Sequence, residues 1–245
     1  MSSTARLDVL VAALGLAPSR ARARGMILAG RVLVDGRPVT QAGTRVAEEA
    51  RIEVSGPDHA FVSRGGVKLE GALDALGVDA AGRTCVDVGA STGGFTDCLL
   101  QRGAAMVHAV DVGYGQLAWK LRTDDRVRVH ERTNMRKLPP RSLEPAPNLA
   151  VVDASFISLK LLLEPTAAQL DPPSEIVALV KPQFEVGRGR VGKGGVVRDP
   201  EARREVVEAV VAAARELGFR ERGVVDSTLP GAKKGNIEVF VHLDR

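Results

Sequence analysis

Residues 86–103 read VDVGASTGGFTDCLLQRG: an apolar strand, a turn carrying Gly89, Gly93 and Gly94, then a helix. A glycine-rich turn between strand and helix lets backbone N–H groups and the helix N-terminus approach a ligand closely. Such a unit buries its faces only inside a larger α/β sheet. Asp111 ends the next apolar run, where a carboxylate suits the hydroxyls of a ribose. The turn Gly89, Ala90, Ser91, Thr92, Gly93, Gly94 is therefore expected to hold a nucleotide-like cofactor. NAD and S-adenosyl-L-methionine both carry such a ribose, and the glycines alone do not separate them. Two details favour S-adenosyl-L-methionine. Asp87 lies just before the first glycine, and Ser91 replaces the glycine that a pyrophosphate-binding fingerprint requires.

The rest of the chain supplies the sheet. Apolar runs at 85–88, 106–111, 127–130, 149–153 and 176–180 alternate with helical patterns, which implies a doubly wound parallel sheet. Two further runs, 223–226 and 237–243, predict an antiparallel pair at its edge. Asp199-Pro200 is a helix start, an N-cap followed by proline at the first helical position. No run approaches the roughly 20 apolar residues of a membrane helix. Cys85 and Cys98 form no CxxC or Cys/His cluster, so no metal site is expected and a reducing cytoplasm fits.

Residues 1–58 read as a separate small module. RLDVLVAALGL and APSRARARGMILAG predict two helices, RVLVDGRPV a hairpin turning at Asp35-Gly36, and RIEVSG a further strand. Arg20, Arg22, Arg24 and Arg31 follow one another without an acid between Asp8 and Asp35. A basic helix before a hairpin suits a reader of backbone phosphate; a solvated arginine face is the competing reading. Arg6-Leu7-Asp8, Gly15-Leu16-Ala17, Ser19-Arg20, Gly30-Arg31-Val32 and Val34-Asp35-Gly36 resemble the S4 RNA-binding domain. Residues 59–64 then read as a linker, and 65–245 as the second domain.

Four polar residues fall where strands end or helices begin: Lys68, Asp153, Lys181 and Glu238. Ligands of open α/β sheets bind beyond the carboxyl ends of the strands, which places Asp153 and Lys181 directly. Taken singly, a lysine opening a helix or a glutamate on an edge strand is more often solvated. In this order around such a turn, they resemble the tetrad of FtsJ-like ribose 2′-O-methyltransferases. FVSRGGVKLEGAL, DVGASTGGFTDCLLQRGA, VVDASFISL, LVKPQFE, GKGGVVRDP and KGNIEVFVHL behind an S4 module resemble the TlyA family.

The resemblance implies a Rossmann-like methyltransferase fold, S-adenosyl-L-methionine as cofactor, and methylation of cytidine ribose in ribosomal RNA or ribosomal subunits. Short extensions at both ends lean towards modification of both 16S and 23S rRNA. Lys181 would act on the hydroxyl, with Asp153 and Lys68 orienting it and Glu238 completing the network. The cofactor would lie against Asp87, the turn, Phe95, Asp111 and Asn134. RNA contacts would fall on Arg6, Arg20, Arg22, Arg24, Arg31, Arg64, Arg188, Arg190 and Lys193, with GRGRVGKGG closing as an electrostatic lid. Trp119 is expected to pack a helix. The sequence departs from the family at His59-Ala60-Phe61-Val62, where arginine and tryptophan are expected; phenylalanine keeps an aromatic anchor without the indole donor. Some relatives carry a haemolysin label, so an RNA-binding or haemolysin-like protein without methyltransferase activity is the alternative.

Overall fold

A computed structural model describes residues 3–17, 19–28, 30–55, 60–192, 194–231 and 236–245. The chain forms two compact units, Met1–Ala60 and Phe61–Arg245.

The first unit runs β1 (Thr4–Arg6), α1 (Leu7–Ala13), α2 (Arg20–Leu28), β2 (Val32–Val34), β3 (Arg37–Val39), β4 (Arg45–Ala47) and β5 (Ile52–Val54). Leu7 and Val11 of α1 meet Ala23, Met26 and Ile27 of α2, the i, i+3, i+4 stripe of a helix with one inward face. The hairpin β2–β3 turns at Asp35 and Gly36, both at positive φ (50° and 76°), as a tight turn matched to strand twist requires. β2 is central, between β3 and β5, and β1 pairs with β4.

The second unit comprises α3 (Arg64–Leu76), β6 (Thr84–Val88), α4 (Gly94–Gln101), β7 (Met106–Val110), α5 (Trp119–Arg122), β8 (Val127–His130), β9 (Leu149–Val152), α6 (Lys160–Ala167), β10 (Glu175–Val180), α7 (Pro182–Glu185), α8 (Pro200–Glu216), β11 (Arg220–Asp226) and β12 (Val239–Asp244). Its seven strands lie in the order β11-β12-β10-β9-β6-β7-β8. β6 to β10 are parallel, and β12 runs antiparallel between β10 and β11. β9 is wholly apolar and buried, as a parallel strand covered on both faces must be. One face of the sheet packs Leu69, Leu73, Leu99 and Phe240; the other packs Leu163, Val210, Ile176 and Phe219.

Phe61, Val62 and Ser63 pack within this unit. Phe61 is buried so tightly against Gly66 that no Cβ fits there. Val62 donates its N–H to Asp97 Oδ2 (2.7 Å), and Ser63 caps α3. His59 lies outside the described residues.

Candidate functional site

The turn after β6 is built by backbone constraint. Gly89 sits at φ 89° and Gly93 at φ 93°. A Cβ on Gly89 would stand 2.6 Å from the Asp153 carbonyl oxygen, so the turn can graze the end of β9 only as glycine. Ser91, itself at positive φ, donates its N–H to Asp111 Oδ2 (2.8 Å), and Gly113 donates to Asp111 Oδ1 (2.6 Å). The acid ending β7 is thereby fixed beside the turn. Ser91 and Thr92 are exposed, whereas Ala90, Gly93 and Gly94 are buried. Gly94 opens α4 directly against Ser63 and Gly66, so the N-termini of α3 and α4 meet face to face. Phe95 turns inward onto Phe240, with ring centroids 6.0 Å apart. Asn134 caps the short turn Met135–Lys137 by accepting the Arg136 N–H.

Asp87 is fully buried beneath the turn. Its Oδ2 accepts from the N–H (2.9 Å) and hydroxyl (2.7 Å) of Thr96, while Oδ1 has no partner. Burial pushes this carboxyl up to about 7 from its ordinary 3.8. The folded state therefore binds the proton more tightly than the unfolded chain. Stability falls as pH rises from about 4 to about 7 and levels above. Asp87→Asn keeps the shape and removes the ionisation cost. At pH 8 it is expected to raise stability by about 4 kcal/mol, with almost no gain at pH 4. Urea melts at the two pH values check this; equal gains at both would refute it.

The four polar residues come together at one edge of the sheet. The parallel register pairs Val88 with Val152, so Gly89 and Asp153 leave their strands side by side. Val180 pairs with Val239 in the antiparallel register, which puts Glu238 beside Lys181. Lys181 Nζ makes an ion pair with Asp153 Oδ1 and donates to Ser155 Oγ (2.9 Å). Lys68, in the second turn of α3, donates to Glu238 Oε2 at 2.6 Å. Both partners of that pair are nearly enclosed, at 12% and 3% exposure. A Cβ on Gly231 would stand 2.7 Å from Glu238 Oε1, so the neighbouring loop closes over this carboxylate.

Three further residues join this edge without a sequence signal of their own. Phe156 is 90% exposed and held at φ 66°, its ring 5.1 Å from that of Phe184 just after Lys181. Glu185 caps α6 by accepting from Ser158 Oγ and Leu159 N–H, which pins the loop bearing Ser155 and Phe156. Asn236, buried, accepts the Val197 N–H and donates to the Gly195 carbonyl, stitching the glycine-rich segment to the residues before Glu238.

The basic residues divide. In the first unit Arg22 and Arg24 are exposed and Arg31 is half-buried. Arg6 and Arg20 both bind Asp8. In the second unit Arg64 is exposed at the start of α3, and Arg188 lies in the single turn Arg188–Arg190. Arg190 is engaged by Glu205 and Asp199 of the α8 region. Lys193 lies outside the described residues. Trp119 corrects the sequence expectation of helix packing: it is 76% exposed. α5 is a single turn whose inward side is taken by Leu121, while Lys120 pairs with Asp97, and Trp119 is left on the outside. Among the described residues, no helix is long and apolar enough to cross a membrane, and no cluster of His, Cys, Asp and Glu is arranged to hold a metal ion.

Residues 61–245 match the family described as FtsJ-like methyltransferase, and residues 5–52 match the S4 domain. The chain is 50% identical over 244 residues to the 16S/23S rRNA (cytidine-2′-O)-methyltransferase TlyA of Mycobacterium tuberculosis, covering 99% of this chain and 91% of that one. It is 40% identical over 238 residues to Hemolysin A of Brachyspira hyodysenteriae, covering 97% and 98%. The solved structure of a protein described as a hemolysin, from Streptococcus thermophilus, matches with a TM-score of 0.77 at 42% identity, over 100% of this chain and 90% of that one. With both domains matched in order and half the residues shared along almost its whole length, the chain belongs to the TlyA family of S4-containing FtsJ-like methyltransferases.

Proposed function

We propose that this protein transfers a methyl group from S-adenosyl-L-methionine to the ribose 2′-hydroxyl of cytidine in both 16S and 23S ribosomal RNA, in the cytoplasm. The observation that carries the reading is the ion pair of Lys181 with Asp153 at the strand edge, beside the glycine turn and the enclosed Lys68–Glu238 pair.

The residues around the turn fit the cofactor. Asp111, fixed beside the turn by the Ser91 and Gly113 N–H groups, has further lone pairs that ribose hydroxyls would use, and the positive-φ turn lets backbone come close. The unpartnered Oδ1 of Asp87 is a buried acceptor that a cationic ligand would satisfy. Asn134 lies beyond β8, from where it would meet the adenine. Bound there, the cofactor supplies a methyl carbon already activated by a sulfonium.

The remaining work is to align the acceptor oxygen and manage one proton. Positioning of this kind can supply roughly 7–11 kcal/mol of a barrier. Lys181 Nζ has three bonding positions; Asp153 and Ser155 take two, leaving the third for the ribose hydroxyl. For this step Nζ first releases one proton to solvent; the neutral amine keeps its two N–H bonds for Asp153 and Ser155, its lone pair takes the proton leaving the ribose oxygen, and Asp153 stabilises the ammonium that re-forms. Lys68, held by Glu238, helps orient the hydroxyl from the floor of the site. The exposed ring of Phe156 gives the cytosine base a face to stack on.

Mapping of 2′-O-methyl marks on rRNA, from cells with the gene intact and deleted, tests this reading. A cytidine mark lost on deletion from each of the two rRNAs is expected, and both should return when the purified protein and cofactor are added. Identical methylation maps from the two strains would overturn it.

A further inference from the structure

The first unit contains a buried carboxylate that the proposed chemistry does not use. Asp8 lies in the first turn of α1, where its charge suits the helix dipole, yet its side chain caps no helix N–H. It faces two arginines instead. Arg6 donates Nε to Asp8 Oδ1 and Nη2 to Oδ2, each at 3.0 Å, and Arg20 donates Nε to the same Oδ2 at 3.0 Å. The carboxylate is 3% exposed, whereas the Arg6 and Arg20 side chains are 46% and 59% exposed. The two guanidinium groups would repel one another, yet both are anchored on one oxygen with their outer edges in solvent. Among the described residues, Arg6 Nη1 and both Nη groups of Arg20 make no hydrogen bond. Arg20 thus keeps the paired Nη edge that matches phosphate geometry, and Arg6 adds its single Nη1 beside it. Arg6 holds the carboxyl down at about 2, well below the ordinary 3.8, so it stays ionised throughout the physiological range.

We propose that Asp8 is the positioning residue of a phosphate clamp: its buried carboxylate sets Arg6 and Arg20 side by side so that both meet one backbone phosphate of the RNA. This rests on the reading of the first unit as an RNA binder. The trio carries a net charge of +1, which a phosphate neutralises. The cost of ordering two long side chains is met when the protein folds, before RNA arrives.

The sign of one substitution separates this from bulk electrostatics. Asp8→Asn makes the protein more positive, so charge alone predicts tighter RNA binding. A clamp that loses its anchor predicts weaker binding. For the full-length chain with in vitro-transcribed 16S and 23S rRNA, Asp8→Asn is expected to raise Kd by about tenfold. It should also lower the slope of log Kd against log salt by about one contact. In methyl transfer the loss should fall on KM for RNA rather than on kcat. Adding Arg6→Gln to Asp8→Asn should cost little more than either alone, because they disable one device.

Arg6→Gln and Arg20→Gln serve as the reference. If each weakens binding while Asp8→Asn leaves it unchanged or tighter, the clamp is overturned and the RNA-binding reading stands. If neither arginine variant weakens binding, that reading fails for these residues and the clamp falls with it. Should Asp8→Asn lower the melting temperature enough to unfold the unit, Asp8→Glu decides. It keeps the charge but displaces the fork, so weaker binding is expected and parental binding would overturn the clamp.

Discussion

A Lys181→Met protein is expected to fold and to lose methyl transfer by about 10²–10⁴-fold, the range typical of removing a general base. Lys181 lies just past β10, whose residues are almost wholly buried, with its own side chain at 11% exposure. Methionine fills nearly the same volume, so packing is retained. The Asp153 side chain left behind is 23% exposed, so water partly replaces the amine, although the Oδ1 that faced Lys181 is itself buried and some loss of stability should register in the melt. The chemistry has no such substitute: no amine then accepts the ribose proton or holds the oxygen in line. Single-turnover transfer of labelled methyl at saturating cofactor and rRNA measures the effect, alongside a thermal melt. A rate within about threefold of the parent would sink the assignment of Lys181.

Lys68→Met is expected to act on stability first, by about 3–5 kcal/mol, because it leaves the Glu238 carboxylate enclosed and unpaired. Little relief is available, since the loop at Gly231 closes over Oε1. Glu238→Leu alone should cost a similar amount by stranding the ammonium. The double variant discriminates. Replacing both charges with apolar groups of similar size is often near neutral for stability. Lys68→Met with Glu238→Leu should therefore recover most of the lost denaturation free energy while methyl transfer stays depressed. Recovery of both would reduce the pair to a structural staple. Recovery of neither would mean that packing at this position, rather than charge, holds α3 to the sheet edge.

The alternation of strands and helices was readable because parallel strands buried on both faces become continuous apolar runs, as in Leu149–Val152. The glycine turn was readable because Gly89 and Gly93 have backbone angles and neighbours that exclude a side chain. The gathering of Lys68 with Glu238 was not readable from spacing, since only the insertion of β12 beside β10 produces it; resemblance to a family carried that expectation. Ser155 and Asn236 carry no signal for a different reason: small polar residues in loops look alike until their partners are known, and Glu185, at the end of α7, shows its role only through Ser158 and Leu159. Asp8 was hidden because its two arginines come from separate elements. Trp119 was misjudged because a large apolar residue in a helix is usually inward, and a one-turn helix has too little inward side for two.

The place of β12 has a consequence for synthesis on the ribosome. β10 and β11 precede it in sequence but do not touch; β12 is the strand that joins them. Until residues 239–244 have left the exit tunnel, β10 presents an open hydrogen-bonding edge of six residues. Over the same interval Glu238 has not docked and Lys68 has no counter-charge. A nascent chain is thus incompetent at the acceptor site however well its glycine turn has formed, and truncation within the closing hairpin should yield aggregation rather than a slower enzyme.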